Sequence, residues 1–222
     1  MISIRAATEH DAVAISHVHV QSWRTTYAGI VPEEYLATLN EAERALLWRD
    51  WLTRDIRVYI ADLDGEIVGF ISGGAIRERV QTYDAELYAI YLLEQAQRQG
   101  IGTALLKELA ESLLGKGFTS MIVWVLEKNP SRHFYVKSSA QIVTTKDIQI
   151  GGVTLSEVSY GWPRPTSDHI AQIVSFSVFS PTGTFALLAK YRVCAHHRVL
   201  SDQAALCLAI AAWRIPPWLV SG

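Results

Sequence analysis

The sequence predicts an α/β fold: a mixed central sheet flanked by helices, followed by an apolar C-terminal extension with no assigned structure. Three observations carry this. The run Glu86-Leu87-Tyr88-Ala89-Ile90-Tyr91-Leu92 has the composition of a strand. It leads through a glycine-bearing loop, Gln97-Arg98-Gln99-Gly100-Ile101-Gly102, into a helix that continues Thr103-Ala104-Leu105-Leu106. The pair Asp64-Gly65 separates two strand-like runs, 57–63 and 66–76, as a tight hairpin turn does. Ser120 to Leu126 is a near-continuous apolar run, the mark of a central strand covered on both faces.

In chain order, Ile2 to Ala6 alternates like a first strand. Thr8, with Asp11 three residues on, is a capping-box-like helix start. That helix is predicted from about Glu9 to Trp23, burying Val13, Ile15 or Ala14, Val18 and Ser22 or Trp23 by helical spacing. Pro32 suits the first turn of a short second helix. Glu41 to Leu52 is a clearer helix, with Leu46, Leu47, Trp48 and Trp51 as its apolar stripe. Gly73-Gly74 weakens or bends the end of the second hairpin strand. After the glycine loop, Ile101, Leu105, Leu109 and Leu113 recur at near-helical spacing, and Gly115 and Gly117 are natural stops. A short helix follows from Pro130 to Lys137. A last hairpin, Ile142 to Ile150 and Val153 to Tyr160, turns around Gly151-Gly152.

The chain has 222 residues, enough for one full domain and an appendage, and half of them are hydrophobic. A net charge of −2 gives no basic field to attract nucleic acid or a membrane surface. Cys194 and Cys207 make no framework of crosslinks, and Met1-Ile2-Ser3-Ile4-Arg5 lacks the layout of a signal peptide; a reduced, cytoplasmic protein is expected. The uncharged run Ile170 to Ala189 has the length of a membrane span, but Ser180-Pro181-Thr182-Gly183-Thr184 breaks it. Fifteen basic and twenty acidic residues precede Pro163, and five and two follow it. The boundary is therefore placed there, giving a domain over 1–162 and an extension over 163–222. The extension is expected to be poorly ordered, with a possible hairpin from Ser175 to Leu188 and a short helix from Ser201 to Trp213; a role packing on a dimer partner or over the active site is the alternative.

Metal ligation is not expected. His17 and His19 are two apart, which on a helix points them to different faces, and His196-His197 beside Cys194 lacks a second ligand pair. No Ser-His-Asp or Cys-His arrangement has a supporting motif.

The glycine loop carries the chemistry. Glycines let the backbone approach an anion, and the first N–H groups of a helix have no internal partner. A diphosphate would sit on the N–H groups of Arg98 to Thr103 and on the helix dipole. Taken alone, such a hexapeptide is more often a plain tight turn. A dinucleotide fold would want a third glycine where Ala104-Leu105 stands, and a nucleoside triphosphatase would want Gly-Lys-Ser/Thr. What singles this loop out is its second half downstream, Asn129 followed by Phe134-Tyr135.

With those residues the chain resembles the GNAT N-acetyltransferase superfamily. The loop matches that family's Gln/Arg-x-x-Gly-x-Gly/Ala, flanked by Leu87-Tyr88-Ala89-Ile90-Tyr91 and by Asn129-Pro130-Ser131-Arg132-His133-Phe134-Tyr135. Val18-His19-Val20-Gln21-Ser22-Trp23-Arg24-Thr25-Thr26-Tyr27 and Val158-Ser159-Tyr160-Gly161-Trp162 are similar to a large bacterial branch of it. The resemblance covers about residues 1 to 162 and implies acetyl-CoA as co-substrate, with no metal. It implies that Ile90, Tyr91 and Leu92 flank the pantetheine arm, one backbone N–H there polarising the thioester carbonyl. Gln97, Arg98, Gln99, Gly100, Ile101, Gly102 and Thr103 would hold the pyrophosphate, Asn129 would contact the cofactor arm, and Tyr135 would protonate the departing thiolate. Trp23 and Tyr27 would shape the acceptor pocket, core packing being the other role open to them. Glu86 is the candidate base, directly or through water, or else a solvated strand-end carboxylate. Arg24 is a weaker candidate for a substrate carboxylate.

The implied reaction is direct transfer to a primary amine of a small molecule or amino acid analogue in a ternary complex. A protein or aminoacyl-tRNA amine, or a non-catalytic acyl-CoA-binding module, is the alternative. A homodimer is common among such relatives. The sequence departs from the family at Leu93, where proline is usual, and at Ser138-Ser139-Ala140, in place of Leu-Gly-Phe. Ser139 would have to close its helix in the left-handed conformation, at about 1 kcal/mol.

Overall fold

The computed structural model describes residues 1–163. The extension expected after Pro163, with its hairpin, its helix, both cysteines and His196-His197, lies outside the described residues. The described residues form one seven-stranded sheet in the order β1-β2-β3-β4-β5-β7-β6. The strands are β1 (Ile2–Ala6), β2 (Arg57–Leu63), β3 (Glu66–Ala75), β4 (Ala85–Leu92), β5 (Met121–Leu126), β6 (Gln141–Ile150) and β7 (Val153–Trp162). β4 and β5 run parallel and the other neighbours antiparallel, so the sheet is mixed as predicted. The Asp64-Gly65 turn has φ values of 52° and 93°, which suits a two-residue hairpin between Leu63 and Glu66.

Helices cover both faces. On one lie α1 (Ala12–Thr26), α2 (Glu33–Thr38) and α3 (Glu41–Leu52); on the other lie α4 (Ile101–Gly115) and α5 (Arg132–Lys137). α4 buries Ile101, Leu105, Leu106, Leu109 and Leu113 against β-strand residues that include Ile71, Leu87 and Val123. α1 buries Ala12, Ile15 and Val18 with Trp48, Ile60 and Phe70. A third cluster, Val20, Tyr27, Val31 and Leu36 with Leu126 and Ile150, lies under the α1–α2 segment.

Two expected core positions are corrected. Val13 is 57% exposed because the buried stripe passes through Ala12, Ile15 and Ser22, one helical step away. Leu46 is 63% exposed because α3 presents Arg44, Ala45 and Trp48 inward, leaving Leu47 half-buried.

The Thr8/Asp11 capping box forms, over a short 3₁₀ turn that precedes α1. Asp11 also accepts both prongs of Arg5, at 2.8 and 2.7 Å. Those bonds hold the Asp11 carboxyl down at about 2. A carboxyl lowered in the folded state stabilises the fold above its unfolded value near 4, and that contribution fades as pH falls toward 2. It amounts to about 2 kcal/mol at most. Asp11→Asn should therefore lower unfolding free energy at pH 7, and the difference from wild type should vanish near pH 2; urea titrations at several pH values check this.

α5 ends in a Schellman motif. Ala140 N–H donates to Tyr135 O at 3.0 Å and Ser139 N–H to Val136 O at 3.0 Å, with Ser139 at φ 66°. Trp162 Nε1 donates to Ser138 O at 2.8 Å and ties this helix end to β7. The exposed Ser139→Gly should stabilise the protein by about 1 kcal/mol. That is a rise in Tm of about 2–4 °C for a domain of this size, readable by calorimetry.

Candidate active site

A β-bulge opens the sheet. Ser72 pairs with Ala89 but Gly73 pairs with Leu87, so Tyr88 is an extra residue on β4. Its hydroxyl donates to Ala75 O at 2.6 Å and the Arg77 guanidinium lies 4.7 Å over its ring. Gly73 permits this close approach: a Cβ there would stand 2.8 Å from Glu86 O and 2.9 Å from Leu109 Cδ2. β4 and β5 are paired only from Ala85 to Leu87, against Met121 to Val123. Beyond that point the edge carrying Ile90, Tyr91 and Leu92 is held by β3 on one side and leaves the β5 side open.

The glycine loop stands at the open end. Gly100 has φ 82° and is the N-cap residue of α4, and Arg98 is also left-handed at φ 61°. Among the described residues, none accepts a hydrogen bond from the N–H groups of Arg98, Gln99, Gly100, Ile101, Gly102 or Thr103. No acidic side chain sits in the first turn of α4. The helix dipole and six free donors together favour negative charge at this end of α4. A Cβ on Gly102 would lie 3.3 Å from Leu92 Cδ1 and 3.4 Å from Phe134 Cε2, so α4, the end of β4 and α5 meet here. Gln97 Nε2 and Ser22 Oγ donate to Leu92 O at 3.2 Å each, fixing the end of β4. Leu93 N–H donates to Val68 O at 2.9 Å, a bond that a proline could not make.

Tyr135 is 5% exposed, stacked on Tyr160 at 5.8 Å and edge-on to Phe134 at 5.4 Å. Burial raises its phenol well above the usual value, and the nearby Tyr27 phenol adds to this. Asn129 is buried; its Oδ1 accepts from Ser131 N–H at 2.8 Å, so the side chain also shapes the turn into α5.

Aromatic side chains line the cleft's other wall. Tyr27 packs edge-on to Trp23 at 4.8 Å, and its hydroxyl lies 3.4 Å from that of Tyr91. His19 stacks on Tyr91 at 5.2 Å. Burial, with Arg44 nearby, keeps His19 neutral, and its Nδ1 accepts from Trp48 Nε1 at 3.2 Å. Trp23 Nε1 is a buried donor with no partner in the described residues. Arg24 donates to Leu39 O at 2.8 Å beside a separate cavity of about 760 Å³ under the α1–α2 loop.

The charged groups hold the departures from expectation. Glu86 is 2% exposed and both its oxygens are engaged: Arg77 Nη2 donates to Oε1, and Arg77 N–H to Oε2 at 3.1 Å. It is neither a solvated carboxylate nor a free one. Glu157 of β7, which belongs to none of the motifs above, is half-buried on the same sheet face; its register partners are Leu126 and Lys146. The sequence does carry a trace of it, a charge in the inward phase Leu155-x-Glu157-x-Ser159.

Among the described residues, no group of three or more His, Cys, Asp or Glu is placed to hold a metal, and no helix is long and apolar enough to cross a membrane.

The family model described as the acetyltransferase (GNAT) family matches residues 20–139, from α1 to the Schellman turn. The chain belongs to the GNAT family. As a GNAT protein it is an N-acetyltransferase, and its relatives agree. It is 48% identical over 165 residues to the uncharacterized N-acetyltransferase YuaI of Bacillus subtilis (strain 168), covering 73% of this chain and 94% of that one. It is 29% identical over 156 residues to the spermidine N(1)-acetyltransferase of Thermoplasma acidophilum, covering 65% and 91%. Its fold is similar to that of the PaiA N-acetyltransferase of Thermoplasma acidophilum, solved in complex with coenzyme A, with a TM-score of 0.57, 25% identity and coverage of 73% and 99%.

Proposed function

We propose that this GNAT protein transfers the acetyl group of acetyl-CoA to a primary amine of a small molecule, by direct attack in a ternary complex. The observation that supports it best is the row of unpartnered N–H groups from Arg98 to Thr103, set beside the buried Tyr135 and the open edge of β4. The relatives add support: one is a spermidine acetyltransferase and a structural neighbour binds coenzyme A.

In this reading the loop and the α4 N-terminus bind the pyrophosphate. The pantetheine arm adds itself beside Ile90, Tyr91 and Leu92, like a short strand in the splay, and reaches Asn129. An N–H of that edge polarises the thioester carbonyl. The amine enters past Trp23 and Tyr27, and the unpartnered Trp23 Nε1 is a donor for an oxygen of the bound acyl group. Tyr135 gives its proton to the departing sulfur. Its raised phenol stays protonated through the neutral range. The same burial raises the proton affinity of the thiolate, so the shift of the phenol does not by itself oppose the transfer. Glu86, with both oxygens engaged by Arg77, holds that guanidinium in place and meets the amine only through a water, as a positioning group. The protein is read as cytoplasmic and homodimeric.

The test is an acceptor screen with the full chain: acetyl-CoA with spermidine, 1,4-diaminobutane, amino acids and a peptide amine, following thiol release and product mass. Acetylation of a small amine is expected. Acetylation of the peptide alone would shift the reading to a protein acceptor. CoA binding with no transfer to any amine would favour a non-catalytic module.

A further inference from the structure

Around Glu157 stand four other charged side chains, which pair among themselves and leave it over. Lys146 Nζ donates to Glu78 Oε2 at 2.9 Å while lying 4.1 Å over the Trp124 ring. Arg77 is bound to Glu86. The fifth, Glu157, makes no hydrogen bond or ion pair with any other described residue. Its backbone position fixes where it faces. Leu155 and Leu126, in phase with it on β7 and opposite it on β5, both belong to the cluster under α1 and α2 with Tyr27. The Tyr27 phenol feels the charges of Glu157, and the Tyr135 phenol in turn feels Tyr27. Glu157 therefore lies on the sheet face under α1 and α2, on the Tyr27 wall of the cleft, while Tyr135 packs in the cluster on the α4 side.

We propose that Glu157 receives the acceptor's ammonium group and takes its proton before attack, which makes the acceptor a cationic alkyl primary amine. The inference rests on the acetyltransferase reading above. A half-buried carboxylate with no cation of its own is an incomplete ion pair, and an incoming ammonium completes it. The groups facing Glu157 are Lys146 from β6, Arg77 and Glu78 from the segment after β3, Glu86 from β4 and Tyr27 from the end of α1. Burial raises the Glu157 carboxyl, the two acids push it the same way, and the two cations oppose them. A raised carboxyl is a better proton acceptor than an ordinary one.

The proton balance closes. The ammonium gives one proton to Glu157 and becomes the neutral amine. Its nitrogen forms the bond to the acetyl carbon as the carbon–sulfur bond breaks, and the sulfur takes the Tyr135 proton. The second nitrogen proton restores Tyr135, the amide keeps the third, and Glu157 releases its proton to solvent. Amide, free thiol and one proton are the products.

The experiment compares full-length wild type, Glu157→Gln and Glu157→Asp with spermidine and 1,4-diaminobutane as probes, alongside CoA titration and thermal melts. Glu157→Gln should lower kcat/KM at least about 100-fold and remove the acidic limb of its pH profile. CoA affinity should stay within about twofold, and Glu157→Asp should recover part of the activity and keep the limb. A Glu157→Gln enzyme within about threefold of wild type, with its acidic limb intact, would overturn the proposal. So would a wild type that acetylates neutral or anionic amine acceptors while ignoring both probes. Failure of wild type to bind CoA at all would instead defeat the acetyltransferase reading beneath it.

Discussion

Tyr135→Phe is expected to lower kcat by about 100-fold or more while CoA affinity stays within about twofold. The substitution removes one oxygen from a side chain whose ring is held by Tyr160, Phe134 and Trp162. Packing is therefore retained, and among the described residues no hydrogen bond to the phenol is lost. What is lost is the proton for the departing sulfur. Because the group acts in the transition state and not in binding CoA, kcat and kcat/KM should fall together. A phenol raised by burial titrates far above the working range, so wild type should show no alkaline limb from Tyr135 below pH 9 or so. Steady-state kinetics over pH with a direct thiol assay check both statements. A Tyr135→Phe enzyme with wild-type kcat would mean the sulfur leaves unprotonated.

The double variant Gly100→Val, Gly102→Val is expected to raise the Kd for CoA by about 100-fold or more. Gly100 sits at φ 82°, where a β-branched residue is strained, so the loop would relax away from the conformation that aims its N–H groups outward. Gly102 meets Leu92 and Phe134, and a larger side chain there narrows the cleft itself. Loss of two charge-assisted hydrogen bonds costs about 3–6 kcal/mol, which is about 10² to 10⁴ in affinity. Thermal shift is a convenient readout: CoA at about 100 times its wild-type Kd stabilises wild type by about 2.7 kcal/mol and should scarcely move the variant. An equal shift in both proteins would place the phosphate elsewhere.

The parts of the site legible in the sequence are those made by local chemistry. Gly100 and Gly102 mark a backbone that must turn left-handed and be approached closely; Asp64-Gly65 marks a hairpin; Thr8 and Asp11 mark a helix start. Each is satisfied within a few residues, so spacing alone reveals it. The bulge at Tyr88 was not legible, since Tyr88 is as good a strand residue as its neighbours. Its one trace is Gly73-Gly74, which suggests a weak strand end, whereas Gly73 is the place where β3 lets Glu86 and Leu109 come close. The Arg77–Glu86 pair joins the two ends of a loop between strands, and no periodicity connects such residues. Val13 and Leu46 show the remaining limit: helical spacing finds a stripe but leaves its edge uncertain by one position. Glu157 lay in plain view as a charge in an apolar phase, with meaning only once β7 is seen beside the end of β5.

The central claim is that the row of free N–H groups from Arg98 to Thr103 is the seat of a CoA diphosphate. Calorimetric titration of the full 222-residue chain with acetyl-CoA, and separately with CoA, tests it most directly. The account predicts one site per chain with micromolar affinity, lost in the Gly100→Val, Gly102→Val variant and retained in Tyr135→Phe. A folded wild type that takes up neither ligand, or a glycine variant that binds as tightly as wild type, would contradict it.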